Sequence, residues 1–214
     1  MCLFSINDLP ANINDRLCII PGPGLHRRAG RTRRTGSRST LGRRHTHTHI
    51  TAVRSLSRGL FDAVAGIKYA LKDPIKLGAG ISAGSDDVVW VDGLAEPFAV
   101  SYWAEGVEGF SAGVSNFRPE VGLELFDALS SGDWERARTL RNICLPYQNF
   151  RDRTGQNNAI AGAISVPAVK KGLELAGLHG GSVREPIRPL ASEEETRAEE
   201  IYGQLDDDIS RLID

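Results

Sequence analysis

The chain has 214 residues, 26 basic and 27 acidic, with 41% hydrophobic and 25% charged residues. That is an ordinary globular balance, long enough for a substantial core. No run of 18 apolar residues exists to span a bilayer, and Cys2, Cys18 and Cys144 are too few and too scattered for a disulfide scaffold or a cysteine zinc site.

The net charge of −1 averages two unlike parts. Residues 1–58 hold 11 Arg, no Lys, two Asp and no Glu, a net charge of +9; residues 59–214 carry −10. The shift marks a boundary. From Arg31 to His49 only Leu41 is apolar. Such a segment buries too little surface to offset its ordering entropy, so residues 1–58 are expected to be a disordered, Arg-rich arm. Two origins stay open for it. One is a nucleic-acid-binding tail held by phosphate contacts. The other is GC-rich coding DNA read out of frame, which yields arginine without lysine together with Thr, Gly, Pro and His. His45, His47 and His49 alternate with Thr and would share one side of an extended chain, but no carboxylate or cysteine lies nearby to complete a metal site, so none is assigned.

From residue 59 onward the elements follow in order. Val64 to Ile67 is a short apolar run ending in Lys68, as in a strand buried on both faces. Asp73-Pro74 starts a glycine-interrupted helix to about Ala83. Asp87 to Asp92 reads as a strand. Glu96 to Glu105 reads as a helix with Phe98 and Tyr102 on one face. Gly109 to Val114 reads as a third strand of small residues that admit close approach. Pro119 to Leu129 is an amphipathic helix with Val121, Leu125 and Leu129 spaced by four. Further helices are expected over 134–150, kinked at Pro146, over 160–175, and over 192–212, where Ser192 and Glu195 form a capping box. Alternating strands and helices predict right-handed βαβ units and a parallel sheet.

Three features carry chemistry, and each lies at or near a strand's carboxyl end, where parallel α/β folds bind ligands. Lys68 ends the first strand. Gly93 follows the second, in WVDGLAEP. Ser111, Ser115 and Asn116 lie on or after the third, in GVEGFSAGVSNFRPE. A lysine held among apolar groups is expected to lose its proton more readily, and its free amine can attack a carbonyl.

The ordered strings GIKYALKDP, VVWVDGLAEP and GVEGFSAGVSNFRPE resemble the final strands of the dihydrodipicolinate synthase and N-acetylneuraminate lyase family. The likeness runs from about Gly59 to the end of the chain, including the helices after the barrel. It implies an α/β fold, the last three βα units of a (β/α)8 barrel plus C-terminal helices. It also implies a class I lyase that forms a Schiff base with a 2-keto acid. Gly66-Ile67-Lys68 matches the motif whose lysine forms the imine, so Lys68 is implied as the catalytic residue. Gly93 matches a turn near the substrate carboxylate, and Ser111 a substrate-contacting strand residue. Gly106, Gly109, Ser115 and Asn116 match the pattern of the eighth strand. The segments GIKYALKDP and DGLAEP lie nearer the sugar-acid branch. The implied substrates are pyruvate or a keto-deoxy sugar acid, with no metal or diffusible cofactor, no membrane partner, a homo-oligomer and a cytoplasmic location.

The resemblance covers half of a barrel. Residues 1–58 contain no tyrosine, and neither the family's carboxylate-binding turn nor its fifth-strand tyrosine is matched there. Fifty-eight residues also cannot encode five βα units of about 30 residues each. The expectation is a truncated lyase chain, weak or inactive alone. A nucleic-acid-binding protein using the arm and a nonfunctional fragment are the alternatives.

Overall fold

The structure is a computed structural model, and it describes residues 17–21, 64–84, 88–156 and 165–213. Among the described residues, four strands form one sheet in the order β1-β2-β3-β4. They are β1 (Leu17–Pro21), β2 (Val64–Tyr69), β3 (Val89–Asp92) and β4 (Gly109–Phe110). β2, β3 and β4 run parallel, with Lys68 opposite Val91 and Val91 opposite Gly109. α1 (Pro74–Ala83) joins β2 to β3, and α2 (Glu96–Glu105) joins β3 to β4. The expected βαβ alternation is therefore present, though β2 runs on through Lys68 to Tyr69.

One expectation is corrected. Residues 17–21, inside the arm expected to be disordered, form β1. It pairs antiparallel with β2, Cys18 opposite Lys68. Leu17-Cys18-Ile19-Ile20 is an apolar, partly β-branched run, and it satisfies the backbone groups on the outer edge of β2. The rest of 1–58, including His45, His47 and His49, lies outside the described residues.

Side chains alternate across the sheet. Ile67, Tyr69, Trp90 and Asp92 share one face, which α1 and α2 cover. Ile67, Tyr69 and Trp90 form a core there with Leu77, Tyr102 and Val107. Phe98 and Tyr102 sit 5.3 Å apart between ring centroids, as their spacing predicts. The glycines that weaken α1 have a packing reason: a Cβ on Gly80 would lie 3.1 Å from the Trp90 ring. Asp73 starts α1 as expected, its Oδ1 accepting the Lys76 N–H at 3.0 Å.

The second core is helical. α3 (Pro119–Ser131) turns Val121, Leu125 and Leu129 inward. They pack with Leu140, Cys144 and Tyr147 of α4 (Trp134–Gln156) and with Ile201, Leu205 and Ile209 of α6 (Ser192–Leu212). α4 continues through Pro146 to Gln156, six residues beyond the expected end. α5 spans Val166–Leu175 and places Pro167 in its first turn, where the missing N–H costs nothing; the expected start at 160 lies outside the described residues. At α6 the cap shifts by one residue. Glu194 rather than Glu195 accepts a capping N–H, that of Ala191, at 2.8 Å.

β4 differs most from expectation. It stops at Phe110 rather than Val114 and is followed by a 3₁₀ turn, Val114–Asn116. Ser111 N–H still bonds Asp92 O at 2.8 Å. Beyond it, the backbone N–H groups turn away from the sheet to a side-chain acceptor.

Candidate active site

Lys68 is the next-to-last residue of β2 and is half-buried. It lies on the face shared with Val89, Val91 and Gly109, turned away from α1 and α2. Val89 on this face is 42% exposed, and a Cβ on Gly109 would meet nothing within 4 Å. Among the described residues, Lys68 therefore stands on the sheet face that α1 and α2 leave uncovered.

Gly93 immediately follows β3. Its N–H donates to Tyr69 O at 2.7 Å, and a Cβ there would sit 2.8 Å from Ala70 Cβ and 2.9 Å from Tyr69 O. Only glycine allows that approach between the chain leaving β3 and the chain leaving β2. Ser111 immediately follows β4, is half-buried, and continues the alternate series of Gly109. The structure thus brings Lys68, Gly93 and Ser111 to the same end of three adjacent parallel strands.

Ser115 and Asn116 have other partners. Asn116 Nδ2 donates to Gly113 O at 2.9 Å and to Ala112 O at 3.3 Å, closing its own turn. Ser115 donates to Glu96 through both N–H and Oγ, at 3.3 and 3.4 Å.

The chain after β2 is held by two phenols. Tyr69 OH donates to Asp73 O at 2.9 Å, and Tyr102 OH donates to Leu71 O. Burial pushes the Tyr102 phenol well above its ordinary range, so it remains a donor.

Two buried carboxyls escaped the sequence reading. Asp92 ends β3 on the helix-covered face. Its Oδ1 accepts the Leu94 N–H at 2.7 Å, while Oδ2 is buried without a hydrogen-bond partner. Burial pushes its pKa up to about 7; the Leu94 N–H opposes this, Glu96 adds to it, and Lys68 opposes it. Glu96, the first residue of α2, is fully buried. Its carboxylate accepts from Gly113 N at 2.9 and 3.1 Å, Val114 N at 2.9 Å and Gln148 Nε2. Arg151 Nη1 donates in turn to Gln148 Oε1 at 2.7 Å. The only local signals were the Asp-Gly pair and an acidic residue beside Pro97, and neither spacing reveals partners up to 52 positions away.

Among the described residues, no group of three His, Cys, Asp or Glu side chains could hold a metal ion. No described helix is long and apolar enough to cross a membrane.

Residues 43–205 match the family model for the dihydrodipicolinate synthetase family. The chain is 30% identical over 143 residues to a probable 5-dehydro-4-deoxyglucarate dehydratase of Methylobacterium radiotolerans, covering 65% of this chain and 45% of that protein. It is 32% identical over 121 residues to a protein of the same description from Xanthobacter autotrophicus, covering 55% and 38%. Its structure is similar to that of dihydrodipicolinate synthase from Oceanobacillus iheyensis, with a TM-score of 0.65 and 26% identity over 73% of this chain and 50% of that one. A sialic acid aldolase of Ruminococcus gnavus, solved as a catalytic lysine mutant, shares the fold at a TM-score of 0.57 and 18% identity, over 68% of this chain and 46% of that one. The α/β fold is therefore similar to that of the dihydrodipicolinate synthase barrel over about three quarters of the chain. The chain spans less than half the length of these curated relatives.

Proposed function

Since the chain belongs to the dihydrodipicolinate synthetase family, we propose that it carries the imine-forming part of a 2-keto-acid lyase site. Lys68 is the nucleophile, and Gly93 and Ser111 hold the substrate. The observation that carries this reading is the place of Lys68: on the sheet face opposite α1 and α2, one residue from the end of β2, beside the ends of β3 and β4.

The chemistry follows from the amine. The lysine nitrogen adds to the keto carbon, and the adduct loses water to give an imine. Once protonated, the imine withdraws electrons from the neighbouring carbon, so a carbon–carbon bond can form or break there, or a hydroxyl can leave. Pyruvate and keto-deoxy sugar acids are the substrate classes, and the dehydratase relatives favour the sugar acids. The reaction uses no metal or diffusible cofactor. The protein acts in the cytoplasm, as a homo-oligomer.

Residues 59–214 are read as the last three βα units of a (β/α)8 barrel with its helical tail, to which residues 17–21 add an antiparallel edge strand. Three parallel strands followed by helices support this, as does the coverage of half of a solved relative. A closed barrel of this kind needs eight strands. The described residues alone therefore supply one side of the pocket, and slow turnover by the chain alone is expected.

The test is incubation of the full chain with pyruvate and borohydride, which reduces an imine to a stable secondary amine. Mass spectrometry should locate the adduct on Lys68, and Lys68→Ala should form none. An undiminished adduct in Lys68→Ala would overturn the assignment.

A further inference from the structure

The carboxylate of Glu96 does not serve its own helix. It lies at the start of α2, yet its acceptors are taken up by the chain that leaves β4. Three successive backbone N–H groups, those of Gly113, Val114 and Ser115, converge on it at 2.9 to 3.3 Å. Consecutive N–H groups of this kind form a concave nest for an anion. Here the anion is a side chain of the protein itself. The other flank is closed from α4: Gln148 donates to Glu96, and Arg151 donates to Gln148. Gly113 has no side chain where these two lie; a Cβ there would fall on the Gln148 amide and the Arg151 guanidinium. The segment 111–116 is thus fixed at its start by Ser111 N–H on Asp92 O and in its middle by Glu96.

We propose that Glu96 is the positioning residue of this segment, setting Ser111 at the ligand-binding end of the sheet that it shares with Lys68. The proposal rests on the keto-acid reading of that end. The chemistry of the cage explains why a carboxylate is needed. Five donor groups face two oxygens. An amide offers one oxygen and two donors. In Glu96→Gln, either the nest faces an NH₂ group, or Gln148 must turn its own oxygen toward residue 96 and release Arg151. A buried donor left unmatched is costly, so the segment relaxes.

The experiment follows amide hydrogen exchange of residues 111–116 in the full chain, with and without pyruvate, beside the borohydride adduct at Lys68 as pyruvate is varied. In the wild type, pyruvate is expected to slow exchange in this segment. In Glu96→Gln, that protection should be lost, and the half-saturating pyruvate concentration for the adduct should rise about tenfold. Gln148→Met, which removes one donor and keeps the carboxylate, should shift it in the same direction by about threefold and serves if Glu96→Gln does not fold. Faster exchange in Glu96→Gln with an unshifted half-saturation would reduce Glu96 to a structural role and overturn the proposal. Absence of any effect of pyruvate on wild-type exchange would overturn it as well. Pyruvate protection that depends on Glu96, without an adduct at Lys68, would sustain the proposal and sink the imine assignment instead.

Discussion

Asp92 accepts the Leu94 N–H at 2.7 Å and so closes the turn that carries Gly93. One carboxyl oxygen does this work, while the other is buried without a hydrogen-bond partner. An ionised carboxyl in that position lacks the solvation it has in the unfolded chain. Its folded pKa of about 7 lies above the ordinary carboxyl value of 3.8. Between those values the folded state binds more protons than the unfolded state. Asp92 therefore costs stability as pH rises from about 4 to 7, and the full cost stands above pH 7.

Asp92→Asn keeps an oxygen for Leu94 and removes the charge. It is expected to stabilise the chain at pH 8 by about 1–2 kcal/mol, less than the full linkage because the amide also leaves a donor buried. The advantage should shrink as pH falls to 5, where the wild-type carboxyl is protonated. Urea unfolding of both proteins at the two pH values measures this. An advantage that grows on acidification would contradict it.

Gly93→Ala should damage the same turn by sterics alone. The new Cβ falls within 3 Å of both Ala70 Cβ and Tyr69 O. Parting β2 from β3 at this point is expected to cost about 1–3 kcal/mol and to reduce the yield of the Lys68 adduct. Thermal unfolding and adduct yield are the two readings. An alanine variant equal to wild type in both would show that the strand ends are not as close as described.

Lys68→Arg separates charge from nucleophilicity. A guanidinium stays protonated at any accessible pH, so it retains the cation but cannot form the imine. The expected result is loss of the borohydride adduct with a melting temperature within a few degrees of wild type. A residual adduct at another lysine would move the nucleophile elsewhere.

On α3, Leu125 is fully buried while Leu123 is 67% exposed. Leu125→Ala should cost about 2–5 kcal/mol, through lost burial and the cavity left behind. Leu123→Ser should stay within about 0.5 kcal/mol of wild type. Equal effects in denaturant titrations would mean that the helix is turned otherwise.

The order of strands and helices from residue 64 onward could be read directly from the sequence. So could the amphipathic face of α3, the pairing of Phe98 with Tyr102, and the placement of Lys68, Gly93 and Ser111 near strand ends. These are local properties, carried by residue spacing and by the punctuation of Pro, Gly and Asp within a few positions. The early end of β4 was not legible: the glycines of GFSAGV weaken a strand but do not say at which residue it stops. Its N–H groups leave the sheet only because Glu96, 17 residues earlier, offers them a carboxylate. Ser115 and Asn116 entered only as part of the eighth-strand pattern; their partners, Glu96 and the backbone oxygens of their own turn, appear only when the chain is folded.

The sequence alone determined the βαβ alternation, the helical tail and the amine at a strand end, since hydrophobic period and turn chemistry act over a few residues. The tertiary structure decided which carboxyls are buried, which backbone donors they collect, that residues 17–21 cover the edge of β2, and which face of the sheet Lys68 occupies. Those outcomes depend on groups brought together from positions far apart in the chain, where desolvation requires each buried polar atom to find a partner, and no local pattern records which partner it finds.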